Sequence, residues 1–229
     1  PMLPSETYLL SVTQAVASHT KLAVPFEPKP DLRLALLGLN IPKHAPLKKP
    51  QQFDHGGISI LYQGDIRLYM DHGELGYDRL AAHGHADSLS VWLIKGKQRI
   101  WADFGSYCYS AVPHWRAWSR STEAHNTVTI GHKSSSTPLG AFGWRKRAQS
   151  FLLSRDESHI EAAHDGYDGN RHTRRVEINK SGVEVQDEIA GEGTDHISIS
   201  YLLGPGLRAT IEEEGVRIWD GVNSHMATC

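Results

Sequence analysis

The sequence is short of cysteine, of long apolar runs and of net charge, and each shortage removes a class of protein. Two cysteines, Cys108 and Cys229, among 229 residues make no disulfide framework and settle no redox compartment. No stretch approaches roughly 18 consecutive apolar residues, so no membrane-spanning helix is expected. With 24 Lys and Arg against 26 Asp and Glu, the formal net charge is −2. Nothing in that balance calls for a nucleic-acid or acidic-membrane partner. The start, Pro1-Met2-Leu3-Pro4, lacks the basic flank and apolar core of a secretory leader. The end, Gly221 to Cys229, follows a strand-like run without a clear finish. The chain reads as a piece of a longer protein, truncated at both ends.

What is present is an ordinary globular composition, 39% hydrophobic and 22% charged. The 14 histidines exceed what one site can use, so most are surface residues. Ser5 to Ser18 reads as a helix, with Leu9, Val12 and Val16 on one face after a Ser N-cap. Six of the 11 prolines fall between Ala23 and Pro50, which marks a linker or wrapping loop, with Leu32 to Leu39 as a short helical insert. After Phe53 the texture becomes alternating. Ile58–Tyr62 and Ile66–Met70 flank Gln63-Gly64-Asp65 as a hairpin, and Leu89, Val91 and Leu93 alternate with polar neighbours. Thr127–Ile130, Phe151–Leu153, Ile160–Ala162, Arg175–Asn179, Val183–Ile189 and Ile197–Leu203 continue the pattern. Short strands at spacings of roughly 8–12 residues predict an all-β antiparallel sandwich over 53–229, preceded by a helix in 1–22 and a proline-rich linker over 23–52.

Three blocks carry chemistry: His83-Gly84-His85-Ala86-Asp87, Ala102-Asp103-Phe104-Gly105 and Arg120-Ser121-Thr122-Glu123-Ala124-His125-Asn126-Thr127. Each sets imidazole or carboxylate beside small residues near an apolar run. His85, Asp103 and His125 supply two nitrogens and one oxygen, a set that suits a divalent ion. His83, two residues before His85, points to the same face of an extended chain. Two other readings stay open. One is a metal-free, hydrogen-bonded His–Asp–His cluster; the other takes Asp87 in place of Asp103, as a facial triad for Fe(II).

These blocks, together with Asp71-His72-Gly73-Glu74-Leu75-Gly76-Tyr77, Asp103-Phe104-Gly105-Ser106-Tyr107 and Trp115-Arg116, resemble the C-terminal region of the heparinase II/III-like polysaccharide lyases. Several ordered motifs over roughly 60 residues are far more specific than a lone His-x-His. The resemblance implies a β-sandwich that follows an (α/α) toroid, with only the toroid's last helix left at 5–18. It implies Zn2+ bound by His85, Asp103 and His125, and His83 in the cleft acting on a substrate uronate carboxylate. It implies β-elimination on an acidic polysaccharide, with the family's acid–base tyrosine in the absent toroid rather than at Tyr77 or Tyr107. A periplasmic or secreted location follows only from such a substrate. Arg116 and Arg120 are candidates for binding substrate carboxylate or sulfate. Arg120 also falls in the family's Arg-Ser-Thr element, whose other role is holding the His125 loop. A non-catalytic, carbohydrate-binding sandwich is the alternative for the isolated chain.

Overall fold

A computed structural model describes residues 51–77, 80–191, 196–221 and 224–228. The helix expected over 5–18 and the proline-rich stretch up to residue 50 lie outside the described residues. Two antiparallel sheets dominate. The first runs β1 (Gln51–Phe53), β2 (Ile58–Gln63), β3 (Ile66–Asp71), β4 (Val91–Lys95) and β5 (Gln98–Trp101), each beside the next. The second has the order β12 (Gly182–Gly191), β11 (Asn170–Asn179), β10 (His159–Tyr167) and β9 (Ser150–Arg155).

The hairpin expected at Gly64 forms as β2–β3, with Gln63 opposite Ile66 and Gly64 at φ +61°, as a two-residue turn demands. Alternation then decides which face is inside. Leu61, Leu68, Met70 and Val91 from the first sheet, with Leu89 from the loop before β4, meet Ile160, Ala162, Val176 and Ile178 from the second. Each such buried side chain contributes about 1.5–3 kcal/mol. This is a sandwich core, and the expected fold class holds.

Smaller elements decorate it. The edge pair β6 (Val128–Ile130) and β13 (Ile197–Ile199) is the shorter form of two runs expected from sequence. Beyond Ile199 the chain leaves the ladder, because Leu202 N–H is taken by the Asn126 side chain at 2.6 Å. The terminal sheet holds β14 (Arg208–Glu212), β15 (Gly215–Trp219), which is the strand-like run before Gly221, and β16 (Ser224–Ala227); β14, β16 and the pair β7 (Thr137–Leu139) and β8 (Gly143–Lys146) are too polar for alternation to reveal. A short helix among the described residues, α1 (Pro113–Ser119), begins with proline in its first turn, where no N–H is required.

The inner face of β11 is not wholly apolar. His172 and Arg174 precede Val176 and Ile178 at the same inward spacing, and all four are buried. Gly166 N–H donates to His164 Nδ1 at 3.0 Å, leaving His164 Nε2–H to donate to His172 Nδ1 at 3.1 Å. His172 Nε2–H then donates to Asp187 Oδ1 at 2.6 Å. Both rings are neutral in this chain of bonds. Burial, with the Arg174 charge nearby, pushes His164 down to about 3. Burial also lowers His172. In the unfolded chain a histidine titrates near about 6.5. Between those values the unfolded chain binds more protons than the folded one, so stability falls as pH falls. We expect chelator-treated protein to lose about 2 kcal/mol through His164 between pH ~6.5 and ~5. Urea titrations of wild type and His164→Gln check it: the variant's acid limb should be flatter, and an unchanged pH slope would reject the role of His164.

Candidate functional site

The segment between β3 and β4, the segment after β5 and the segment after α1 converge. Gly84, between the two motif histidines, lets them do so. A Cβ at that position would come within 2.8 Å of Leu75 Cδ2 and 3.1 Å of Gly76 Cα. The third segment is stitched to the first by Ala86 N–H to Arg120 O at 2.9 Å, Thr122 Oγ1 to Ala86 O at 2.7 Å and Thr127 Oγ1 to Ser88 O at 2.9 Å. Asn126 joins the other two. Its Nδ2 donates to Val91 O at 2.7 Å and to Ala102 O at 2.8 Å, so the residue after His125 fixes the residue before Asp103.

The result brings His125 Nδ1 within 2.6 Å of Asp103 Oδ2, to which it donates. Gly105 N–H caps the other Asp103 oxygen at 2.7 Å. His85 lies beside this pair: its ring centroid is 5.1 Å from that of His125, and its Nε2 shares a hydrogen bond with Ser106 Oγ at 3.0 Å. Ligand atoms of His85, Asp87 and His125 all lie within 4.8 Å of one another. Asp87, weighed from sequence only as a substitute for Asp103, thus stands at the same place as the two histidines. His125 is fully buried.

Charge is crowded here. Burial raises Asp71 well above the usual carboxylate range, and Asp87 adds to the shift. Burial, with Asp103 nearby, lifts Asp87 to about 6. Burial also pushes Asp103 up, but the hydrogen bond from His125 and that ring's charge outweigh it, so Asp103 ends low. His125 is the mirror image: burial lowers it, while Asp103 and Asp87 raise it above the ordinary histidine value. Burial and the His125 charge lower His85 to about 4, which keeps its ring neutral and a lone pair available. Three carboxylates around two histidines form a pocket of excess negative charge, the arrangement a divalent cation would relieve.

His83 is exposed and lies on a cleft of about 890 Å³ that His85, Asp71, Asp87, Glu74 and Tyr77 also line. Its ring meets Tyr109 edge-on at 5.4 Å. Tyr77 is 92% exposed on the rim, and Tyr107 is exposed outside it. Arg116 and Arg120 are both buried. Arg116 donates to Ala82 O at 3.1 Å, Ala141 O at 3.2 Å and Ser106 Oγ at 3.2 Å. Arg120 donates to Gly140 O at 3.0 Å, Gly143 O at 3.1 Å and Gly84 O at 3.4 Å. The two guanidinium groups therefore grip the carbonyls on either side of His83, while Arg116 also stacks over Tyr109 at 4.9 Å. Among the described lining residues of the cleft there is no lysine or arginine.

Residues 45–228 match the family model described as Heparinase II/III-like, C-terminal. The chain belongs to that family. Among solved structures it is similar to heparinase III, at 19% identity and a TM-score of 0.60, covering 82% of this chain and 30% of that one. It is also similar to the heparan sulfate lyase HepC from Pedobacter heparinus, at 15% identity and a TM-score of 0.59, covering 93% of this chain and 37% of that one. At such identities the likeness shows a shared fold. The chain spans about a third of these relatives' length. No protein of curated function matches it. No described helix is long and apolar enough to cross a membrane.

Proposed function

We propose that this chain is the metal-holding sandwich of a polysaccharide lyase that acts by β-elimination on an acidic, uronate-containing polysaccharide. The observation that carries the reading is the convergence of His85, Asp103 and His125 beside a cleft that exposes His83. Two imidazoles and a carboxylate suit zinc, and ligand atoms of Asp87 lie within 4.8 Å of those of His85 and His125. The crowded carboxylates around the two histidines fit such an ion. Bound there, zinc ties three loops together and adds its binding free energy to folding.

The chemistry in the cleft is proton transfer. A base removes the proton at C5 of the uronate, the C4–O bond breaks as the C4–C5 double bond forms, and the leaving oxygen takes a proton. Negative charge builds on the adjoining carboxylate, and a donor aimed at it stabilises the transition state. His83 is that donor. Arg116 and Arg120 hold the backbone around His83, since their own donors are occupied by carbonyls and Ser106. Reaching substrate would require them to leave these bonds.

No described lining residue of the cleft is a lysine or arginine, a lining that a helical toroid of the same protein could complete. The same lining also keeps alive a second reading, a carbohydrate-binding sandwich without turnover. Ultraviolet absorbance of unsaturated uronate separates them. A longer protein carrying the helical domain should produce it from a uronate polysaccharide, whereas residues 1–229 alone should show weak or no turnover. Robust product from residues 1–229 would overturn the division of labour and turn attention to Tyr77. No product from the longer protein, with binding retained, would establish the second reading.

A further inference from the structure

The buried polar chain on β11 ends at the candidate metal centre, and its last member makes contacts that stability alone does not call for. Arg174 is fully buried and sits opposite Asp187 in the β11–β12 register. Its Nε and Nη2 donate to the two Asp187 oxygens at 2.7 and 2.9 Å, a bidentate pair. Its remaining arm leaves the sheet. Nη1 donates to Leu89 O at 3.0 Å and to Asn126 O at 2.7 Å. These two carbonyls belong to different loops. Leu89 closes the loop that carries His85 and Asp87, and Asn126 directly follows His125. Leu89 is also held at φ +61°, a conformation a leucine adopts only under constraint.

We infer that Arg174 is a positioning residue for the metal centre: one of its nitrogens sets the spacing between the two ligand-bearing loops, and Asp187 aims it. A buried ion pair is a poor device for stability, since apolar side chains of equal volume commonly serve as well. What they cannot do is bind two carbonyls at one point. His172, donating to the same Asp187 oxygen that accepts from Arg174 Nε, fixes that carboxylate in turn. A lysine at 174 would keep the charge but could not span Asp187 and both carbonyls.

The inference rests on the metal reading, and its test keeps the two apart. Cobalt(II), whose visible bands report ligand geometry, is titrated into chelator-treated wild type, Arg174→Lys and Val176→Ala. Val176 is an apolar core residue on the same strand, so its variant controls for lost stability. Arg174→Lys should bind cobalt about 10- to 100-fold more weakly, with altered bands, as expected when a ligand's support is removed. Val176→Ala should stay within about twofold of wild type, because it leaves the arginine's bonds to both ligand-loop carbonyls in place. Unchanged affinity in Arg174→Lys, or an equal loss in the control, overturns the inference. If wild type takes up no cobalt, the metal reading fails, and amide exchange decides instead. The His125, Asn126 and Thr127 amides should then exchange faster in Arg174→Lys than in Val176→Ala, and equal rates overturn the positioning role. Should Arg174→Lys not fold, Asp187→Asn keeps the arginine and weakens its aim. It should show the same split in smaller measure, and parity with the control counts against the inference.

Discussion

His125→Ala is expected to destabilise the chain by about 3–5 kcal/mol, as breaking a buried charge pair does. The side chain is fully buried, its Nδ1 is bonded to Asp103, and it sits where three segments meet. Its loss leaves the Asp103 carboxylate without its principal partner. It also removes one ligand of the proposed ion, so the variant should no longer respond to zinc. Chelation of wild type should reproduce part of the same loss and leave His125→Ala unmoved. Urea midpoints with and without chelator measure both effects. Equal destabilisation by chelator in wild type and variant would detach the ion from this residue.

The second large effect is catalytic. His83→Ala should cut elimination by about 10²–10⁴ in a protein that retains the helical domain, the usual scale for a positioned acid–base or donor group. Folding should change little, within about 0.5 kcal/mol, because the side chain is exposed and holds no loop. Metal content should also match wild type. The contrast with His85, two residues away, is the informative part: one histidine is expected to govern turnover and the other the ion. Unchanged turnover in His83→Ala removes it from the mechanism.

The sandwich was legible because its inward positions alternate cleanly. Ile66–Asp71 and the Arg175–Asn179 part of β11 form where apolar residues recur every second position, and Gly64 marks the turn before the first. Strands β14, β16 and the β7–β8 pair carry no such alternation. Helix α1 hides behind its aromatic residues, with only Pro113 to announce it. Of the site, His83, His85, Asp103 and His125 stood out because each lies in a motif with small neighbours.

Asp71 lay within a quoted motif without a role, and only burial shows its place in the cleft wall. Arg116 and Arg120 were legible as guanidinium groups near the site, but whether they faced sugar or carbonyl depended on how α1 packs. The signal for Arg174 was there to read: His172 and Arg174 occupy inward positions of an otherwise apolar alternation. A polar pair at such positions demands buried partners, and Asp187 and His164 are those partners.

The metal ion proposed for the three convergent blocks is open to direct assay. Elemental analysis of the purified chain, paired with Asp103→Asn and Asp87→Asn, tests it most directly. Near one zinc per chain is expected, with the ion lost or strongly weakened in Asp103→Asn and retained at lower affinity in Asp87→Asn. Chain free of metal, unable to take up added zinc and indifferent to chelator, would contradict the claim and leave a hydrogen-bonded histidine–aspartate cluster in its place.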